Sequence, residues 1–215
     1  MKKAFIFDFD GTLAETFPLI FKAVDAAYKK LGLVPPSREV VFAHFGPHEL
    51  GLLRKISPER ADEIFAAYLA ATSDLIKSDG LRAFDGLEEV LSEMKAAGYK
   101  LAVLTGKSRE SLQLTLEAIG LSKYFDLLKW GGEHGSVKPQ RLREVLAEFN
   151  MSADEVYYVG DSVQDIKDCR SVGVDILAAA WADCADASAL AAEHPYAILA
   201  SVSSLYNYVK TREGA

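Results

Sequence analysis

The start of the sequence places the strongest constraint on the fold. Residues 3–7 are an apolar, aromatic-rich run of strand length, and Asp8, Asp10 and Gly11 follow it closely. The run predicts a buried strand, and Gly11 predicts the turn that ends it. Asp8 and Asp10 are two residues apart, so they can face the same side of the strand end. Because ligands of open α/β sheets bind at the carboxyl ends of strands, the two aspartates predict a ligand site there.

The next part of the sequence, from residue 15 to residue 81, shows helical patterns and no convincing strand. Apolar residues recur there at intervals of three and four, and Gly and Pro residues separate the segments. This spacing is typical of amphipathic helices. We predict four helices in this part, over residues 17–31, 38–45, 50–56 and 58–79.

From residue 81 onwards, strand and helix patterns alternate. The predicted strands cover residues 100–104, 125–128, 156–159 and 176–180, and the predicted helices cover residues 87–97, 108–119, 140–149 and 163–172. Weaker helix and strand patterns follow to the end. Alternation of this kind predicts an α/β fold, with a parallel sheet covered by helices on both faces. We therefore expect a core domain formed by residues 1–14 and 82–215, and a small helical domain formed by residues 15–81.

Polar side chains recur at the ends of the later strands. Thr105 and Gly106 follow residues 100–104, Lys138 precedes a predicted helix, and Asp161 follows residues 156–159 with Asp165 four residues later. A spacing of four places two carboxylates on successive turns at a helix start. Each of these features alone is explained by an ordinary turn, helix cap or solvated lysine. Their occurrence together, in this order, favours one functional site at the carboxyl edge of the sheet.

The four segments together resemble the haloacid dehalogenase superfamily, and the match covers the whole chain. Residues 8–13, Asp-Phe-Asp-Gly-Thr-Leu, match its first motif, DxDGT[LV]. Thr105, Lys138 and the pair Asp161 and Asp165 correspond to its second, third and fourth motifs. The resemblance implies a Rossmann-like core of parallel strands, with a small all-helical cap domain inserted after the first strand.

The resemblance also implies a role for each carboxylate. Asp8 is the nucleophile that forms an aspartyl phosphate, and it ligates Mg²⁺ as well. Asp161 is the other carboxylate ligand, while Asp165 either ligates the metal or orients groups around it. The backbone carbonyl of Asp10 adds a ligand, and its side chain is the general acid and then the general base. The implied metal site is therefore formed by Asp8, Asp10, Asp161 and Asp165.

The remaining motif residues are implied to bind the phosphoryl group. A phosphate dianion repels an attacking carboxylate by about 4 kcal/mol at 4 Å in a medium of effective dielectric near 20, so cations must offset this repulsion. Lys138 would cancel charge on Asp8 and on the phosphoryl oxygens. Thr105 and the backbone N–H of Gly106 would bind those oxygens. The implied cofactor is Mg²⁺, which prefers oxygen ligands.

The acid at position 10 favours phosphoryl transfer over dehalogenation, because related dehalogenases and phosphonoacetaldehyde hydrolases lack it. The size of the helical insertion resembles that of phosphoglycolate phosphatases. Pyrophosphatases and 5′-nucleotidases look nearly identical at this level, so they remain alternatives. A sugar phosphomutase shares all four motifs, but the His-bearing segment that such mutases carry after the first motif is missing. A silent binding protein is expected to have lost a motif acid, and none is missing here.

Substrate specificity is expected to lie in the helical insertion. His44 and His48 lie in a Gly-Pro break between predicted helices, at the position of the family's specificity loop. Arg54 is a candidate partner for a substrate carboxylate. A plain helix–helix turn and a solvated helix charge explain these three residues equally well, so both interpretations remain open.

Composition limits the partners. The chain has 215 residues, half of them apolar, and a net charge of −7 with no basic stripe, so nucleic acid is not an expected partner. Its two cysteines fit a reducing compartment. It has no signal-peptide pattern and no apolar run long enough to span a membrane. We expect a cytoplasmic monomer or homodimer that acts on a small phosphorylated metabolite, away from membranes.

Overall fold

The structure is a computed structural model that describes residues 2–213, with side chains to residue 211. Its strands are β1 (Ala4–Phe7), β2 (Lys100–Leu104), β3 (Leu127–Lys129), β4 (Val156–Gly160), β5 (Asp175–Ala179) and β6 (Ala197–Leu199). Its α-helices are α1 (Phe17–Lys30), α2 (Arg38–Ala43), α3 (Glu49–Ile56), α4 (Ala61–Asp79), α5 (Leu87–Ala96), α6 (Arg109–Ala118), α7 (Lys138–Phe149), α8 (Val163–Val172), α9 (Ala187–Ala192) and α10 (Val202–Glu213). Short 3₁₀ turns cover Pro58–Arg60, Ser122–Tyr124 and Ala153–Glu155.

The six strands form one sheet in the order β3-β2-β1-β4-β5-β6, and every neighbouring pair is parallel. The first strand of the sequence thus lies in the middle of the sheet, and all of its residues are buried. Phe7 at its end is in register with Val103 of β2 and Val159 of β4. The loops after these three strands therefore begin at the same level, at one edge of the sheet. The predicted α/β fold with a parallel sheet is confirmed.

Both faces of the sheet are covered by helices, which explains why its strands are apolar throughout rather than alternating. Along β1, Phe5 and Phe7 face one side and Ala4 and Ile6 face the other. The first face packs against α5, α6 and α10, and the second against α7, α8 and α9. Since each helix presents its apolar side to the sheet, two hydrophobic layers hold the strand ends in fixed positions.

The segment between β1 and α5 is helical, as predicted. Helices α1 to α4 bury an apolar cluster of their own, in which α1 and α3 pack against α4. Ser37 accepts a hydrogen bond at the start of α2, as expected of an N-cap. Ala14 and Ala83 form an isolated antiparallel bridge at the root of this segment. The boundaries at residues 14/15 and 81/82 remain a prediction.

Several element boundaries differ from the prediction. Strand β3 begins at Leu127 rather than at residue 125, because the Asp126 carboxylate instead accepts hydrogen bonds from the backbone N–H of Leu101 and from Lys95. Helix α7 begins at Lys138, two residues earlier than predicted, with proline in its first turn. Of the helices that the structure describes, none combines the length and apolarity needed to cross a membrane.

Candidate active site

A cavity of about 620 Å³ lies between the carboxyl ends of the central strands and helices α1 to α4. The loops after β1, β2 and β4 line its floor, together with the start of α7. The predicted motif residues that line it are Asp8, Asp10, Thr105, Gly106, Lys138 and Asp161. The parallel sheet thus brings together groups that are far apart in the sequence: Asp8 and Asp161 are separated by 153 positions.

Asp8 lies directly after β1, and its backbone N–H continues the ladder to the carbonyl of Val159. One carboxylate oxygen accepts a hydrogen bond of 2.7 Å from the backbone N–H of Phe9. The other accepts a bond of 2.6 Å from Nζ of Lys138. Burial raises the pKa of Asp8 to about 6, and Asp165 adds to the rise while Lys138 opposes it. Asp8 is therefore a fixed carboxylate whose charge is only partly compensated.

Asp161 lies after β4, close to the turn that follows β1. That turn needs glycine at position 11, because its φ is +71° and a Cβ there would lie 2.2 Å from a carboxylate oxygen of Asp161. The hydroxyl of Thr12 donates a hydrogen bond of 3.2 Å to the same carboxylate. Burial, then the nearby Asp8 and Asp165, raise the pKa of Asp161 to about 8. Among the described side chains, no lysine or arginine forms an ion pair with it.

Asp165 is fully buried in the first turn of α8, where it forms a reciprocal cap with Ser162. One carboxylate oxygen accepts bonds from the hydroxyl and backbone N–H of Ser162, at 2.6 and 3.2 Å. The other accepts from Nζ of Lys138 at 2.5 Å and from the hydroxyl of Tyr158 at 3.3 Å. Burial lowers the pKa of Lys138, but Asp165 and Asp8 more than offset this and hold it above the usual range. Lys138 therefore stays protonated between two carboxylates.

The arrangement fits a divalent cation. Among the described residues, Asp8, Asp161 and Asp165 each offer a carboxylate oxygen, and these atoms all lie within 4.8 Å of one another. Three carboxylates, of which those of Asp8 and Asp165 are buried, face one ammonium, and burial together with the neighbouring carboxylates raises the pKa values of Asp8 and Asp161. A donor set made of oxygens suits Mg²⁺. The carboxylate of Asp10 is not part of this triple. The candidate metal ligand at this position is therefore the backbone carbonyl of Asp10, and not its side chain.

The carboxylate of Asp10 is held by two residues to which the sequence analysis gave no role. Nζ of Lys107 lies 2.9 Å from it, and the hydroxyl of Thr16 also donates to it. Lys107 is only 3% exposed. Burial lowers the pKa of Lys107, but Asp10, Tyr68 and Glu49 more than offset this and keep it above the usual range. In the sequence, the one feature that could have identified Lys107 as a site residue is its position directly after Thr105 and Gly106. A lysine at such a position is by itself typical of a solvent-exposed loop.

Glu49 connects the helical segment to this site. It lies in the first turn of α3, and its carboxylate accepts a hydrogen bond of 2.6 Å from the backbone N–H of Ser108. Its other oxygen lies 3.9 Å from Nζ of Lys107. An acidic residue in the first turn of a helix is common, since it complements the helix dipole. No local pattern therefore distinguished Glu49 in the sequence.

Thr105 and Gly106 lie where the sequence predicted them, at the end of β2. Thr105 is 1% exposed, and its hydroxyl accepts a hydrogen bond of 3.3 Å from the backbone N–H of Lys107. The loop is closely packed: a Cβ at Gly131 would lie 2.2 Å from the carbonyl oxygen of Gly106. The backbone around Gly106 is thereby held against the cavity.

The three predicted specificity residues do not line the cavity. Nδ1 of His44 lies 2.8 Å from the carbonyl oxygen of Val40 in its own helix. His48 is the N-cap of α3, where Nδ1 accepts from the backbone N–H of Gly51. Arg54 forms ion pairs with Asp62 at 3.2 Å and with Glu133 at 2.6 Å. These contacts agree with the interpretation of the three residues as parts of a turn or a helix surface. A role of these residues in substrate binding remains a prediction, which the lining of the cavity does not support.

Comparison with known proteins places the chain in a family. The sequence profile described as "Haloacid dehalogenase-like hydrolase" matches residues 5–179. Pyrophosphatase PpaX of Bacillus velezensis is 28% identical over 205 residues, covering 94% of each chain. Pyrophosphatase PpaX of Listeria monocytogenes is 27% identical over 186 residues, covering 82% of each chain.

Solved structures share the fold at lower identity. CbbY from Rhodobacter sphaeroides, solved in complex with phosphate, has a TM-score of 0.79 at 20% identity, covering 95% of this chain and 99% of the other. A protein described as a predicted phosphoglycolate phosphatase from Haemophilus somnus has a TM-score of 0.75 at 22% identity, covering 98% of each chain. Since the family profile spans most of the sequence, including the motifs that line the cavity, the chain belongs to the haloacid dehalogenase-like hydrolases and is an enzyme of that family.

Proposed function

We propose that the protein is a cytoplasmic, Mg²⁺-dependent phosphatase that hydrolyses a small phosphomonoester through a phosphorylated Asp8. The observation that carries the proposal is the position of the Asp8 carboxylate. It lies on the cavity floor, bonded to Lys138 and grouped with Asp161, while the Asp10 carboxylate lines the same cavity. A fixed nucleophile, a paired ammonium and a separate acid–base group are what phosphoryl transfer to a carboxylate requires.

The residues that would hold Mg²⁺ are Asp8 and Asp161 through their carboxylates and Asp10 through its carbonyl. Asp165 serves instead to hold Lys138 and the loop at Ser162, because it accepts hydrogen bonds from these groups and, unlike Asp8 and Asp161, is fully buried and does not line the cavity. When bound, Mg²⁺ offsets the charge of the carboxylates and of the phosphoryl group.

In the first half of the reaction, a carboxylate oxygen of Asp8 attacks phosphorus and the bond from phosphorus to the leaving oxygen breaks. Asp10 donates a proton to that oxygen, so the product leaves as a neutral alcohol. Lys138, the hydroxyl of Thr105 and the backbone N–H of Gly106 bind the phosphoryl oxygens, where negative charge is concentrated. Each of these groups lines the cavity.

In the second half, water attacks the phosphorus of phosphorylated Asp8, and Asp10 takes its proton. The phosphorus–Asp8 bond breaks, which releases phosphate and restores the carboxylate. Lys107 and Thr16 hold Asp10 in one position through both halves. Glu49 contacts Lys107 and Ser108 from the helical segment, so the position of that segment affects how Asp10 is held.

Pyrophosphate hydrolysis is the second candidate activity, because the curated relatives at 27–28% identity are named pyrophosphatases. The core steps would be the same, with phosphate rather than an alcohol as the leaving group. Phosphoglycolate, as in the name of one structural neighbour, represents the phosphomonoester alternative. 5′-Nucleotides are a further alternative, and a sugar phosphomutase activity is the least favoured.

Asp8→Asn should reduce phosphate release from p-nitrophenyl phosphate by about 10³-fold or more, because an amide is a poor nucleophile and a poor cation ligand. Circular dichroism should show an unchanged fold. Asp168→Asn is a matched control, since Asp168 is buried in the same helix as Asp165 but does not line the cavity. Activity of Asp8→Asn within tenfold of the wild type would contradict the assignment.

Asp10→Asn should reduce kcat/KM selectively, according to how much the leaving group needs a proton, because kcat/KM covers only the steps up to phosphorylation of Asp8 and not the later step in which Asp10 acts as a base. On ethyl phosphate we expect a loss of about 10²–10⁴-fold, and on p-nitrophenyl phosphate, whose leaving group barely needs protonation, less than tenfold. Lys107→Met should show the same bias in weaker form, because it leaves Asp10 in place but held only by Thr16. Equal losses on both substrates would show that Asp10 is not the acid.

Without divalent cations, the folded protein should become less stable as pH rises from about 4 to about 8. Over this interval folded Asp161, with a pKa of about 8, retains a proton that the unfolded chain, with a pKa of about 3.9, has lost. The free energy of unfolding therefore falls with pH. In chelator at pH 8, Asp161→Asn should be more stable than the wild type by on the order of 1 kcal/mol, as measured by denaturant titration.

Excess Mg²⁺ should make the wild type more stable than Asp161→Asn, the reverse of the order expected in chelator. An ion that binds only the folded state, present at 100 times its Kd, adds about 2.7 kcal/mol to the free energy of unfolding. The wild type has the Asp161 carboxylate that would coordinate the ion, and the variant lacks it. If Mg²⁺ left the unfolding of the wild type unchanged, the cation site would be wrongly assigned.

A further inference from the structure

The helical half of the cavity differs from its floor in chemistry. Apart from Glu49, the residues of α1 to α4 and their connecting loops that line it are apolar or aromatic. They include Ile20, Val41 and Leu52, together with Phe17, Phe42 and Phe45, which we call the phenylalanine triplet. The phosphoryl group belongs on the floor, so the helical half faces the rest of the substrate.

The phenylalanine triplet is a connected aromatic surface that is partly exposed. The ring centroids of Phe42 and Phe45 lie 5.1 Å apart, and Phe17 lies 6.0 Å from Phe45 and 6.5 Å from Phe42. These separations are in the range of favourable aromatic pairs. Phe42 is nevertheless 61% exposed and Phe45 36% exposed. The cavity thus presents aromatic rings that a bound molecule can cover.

The charges around the cavity argue against a second anionic group on the substrate. Among the described lining residues, the only lysines or arginines are Lys107 and Lys138. Lys138 is paired with Asp8 and Asp165, and Lys107 with Asp10. The charged residue contributed by the helical half is Glu49, which would repel a carboxylate or a second phosphate. Nearby Arg54 is ion-paired outside the cavity.

We propose that the leaving group of the substrate is an uncharged alcohol that carries an aromatic ring, and that this ring stacks on the phenylalanine triplet. The inference rests on the proposed phosphatase function and specifies its substrate class. The reaction is hydrolysis: the bond between phosphorus and the alcohol oxygen breaks, water supplies the new oxygen on phosphorus, and the alcohol leaves protonated.

The size of the cavity agrees with such a substrate. A volume of about 620 Å³ lies within the range of about 300–1,000 Å³ that is usual for sites of small organic ligands. A phosphorylated two-carbon acid would occupy the floor and leave the triplet uncovered. A ring on a short linker would fill both halves, so that apolar contact contributes to binding.

The test compares esters that share one type of leaving oxygen. We would measure kcat/KM for 2-phenylethyl phosphate, ethyl phosphate and phosphoglycolate, with inorganic pyrophosphate as a fourth substrate, at fixed Mg²⁺. The expected result is a value for 2-phenylethyl phosphate at least tenfold above each of the other three. A higher value for phosphoglycolate or pyrophosphate than for 2-phenylethyl phosphate would overturn the proposal.

Variants of Phe42 test the ring itself. Because this side chain is largely exposed, they should keep the wild-type melting temperature, which thermal melting checks. Phe42→Ala should lower kcat/KM about tenfold for 2-phenylethyl phosphate and less than threefold for ethyl phosphate. Phe42→Leu, which stays apolar but lacks the ring, should lower kcat/KM for 2-phenylethyl phosphate by a similar factor. Val40→Ala is the control, because Val40 is exposed on the same helix and does not line the cavity.

Phe42→Arg tests the charge argument, because it places a cation where the structure has a ring. It should shift the kcat/KM ratio of phosphoglycolate to 2-phenylethyl phosphate by at least tenfold in favour of phosphoglycolate. Equal losses on all esters in Phe42→Ala, or wild-type values in Phe42→Leu, would overturn the stacking. Absence of Mg²⁺-dependent phosphate release from every substrate, p-nitrophenyl phosphate included, would instead overturn the phosphatase function on which the proposal rests.

Discussion

The site depends on one interaction, the ammonium of Lys138 held between the carboxylates of Asp8 and Asp165. All three groups are largely buried, so removal of the lysine would leave two carboxylates facing each other without compensation. Asp165 also caps α8 through Ser162, and Asp8 continues β1. A single cation therefore fixes the positions of Asp8, the start of α7 and the start of α8 relative to one another.

A second buried lysine holds Asp10, the proposed acid–base group, in a related way. Lys107 holds Asp10 from one side and contacts Glu49 of the helical segment on the other. Glu49 in turn accepts from the backbone N–H of Ser108, at the start of α6. The core and the helical segment thus meet beside Asp10, the residue proposed to exchange protons with the substrate. In the proposed mechanism, this arrangement would let the helical segment exclude water and position Asp10 at the same time.

Much of the fold was predictable because it depends on local patterns. The apolar run before Asp8, the alternation after residue 81 and the glycines that end several helices all predict their elements from nearby residues alone. A parallel sheet then places the ends of its strands at one edge, and this topology accounts for the convergence of the predicted motif residues. Strand β6 and helices α9 and α10 gave weaker patterns, because their segments are short or rich in Ala, Ser and polar residues.

The rest depends on contacts between distant residues, which local patterns do not encode. Lys107 and Glu49 are ordinary charged residues in the sequence, and their pairing requires α3 to dock beside β2. The phenylalanine triplet combines a residue at the start of α1 with two from the region of α2. The sequence instead directed attention to His44, His48 and Arg54, whose side chains find partners outside the cavity. These three residues therefore differ from the residues that form the site in their position relative to the cavity, not in residue type.

If Asp8 takes the phosphoryl group as proposed, chemical trapping during turnover will detect it. Enzyme mixed with p-nitrophenyl phosphate and Mg²⁺ would be quenched during turnover and treated with borohydride, which reduces an acyl phosphate to an alcohol. Peptide mass spectrometry would then locate the reduced side chain. We expect homoserine at position 8 and at no other aspartate. Reduction at a different residue, or none while turnover proceeds and a known aspartyl phosphate is trapped in parallel, would contradict it.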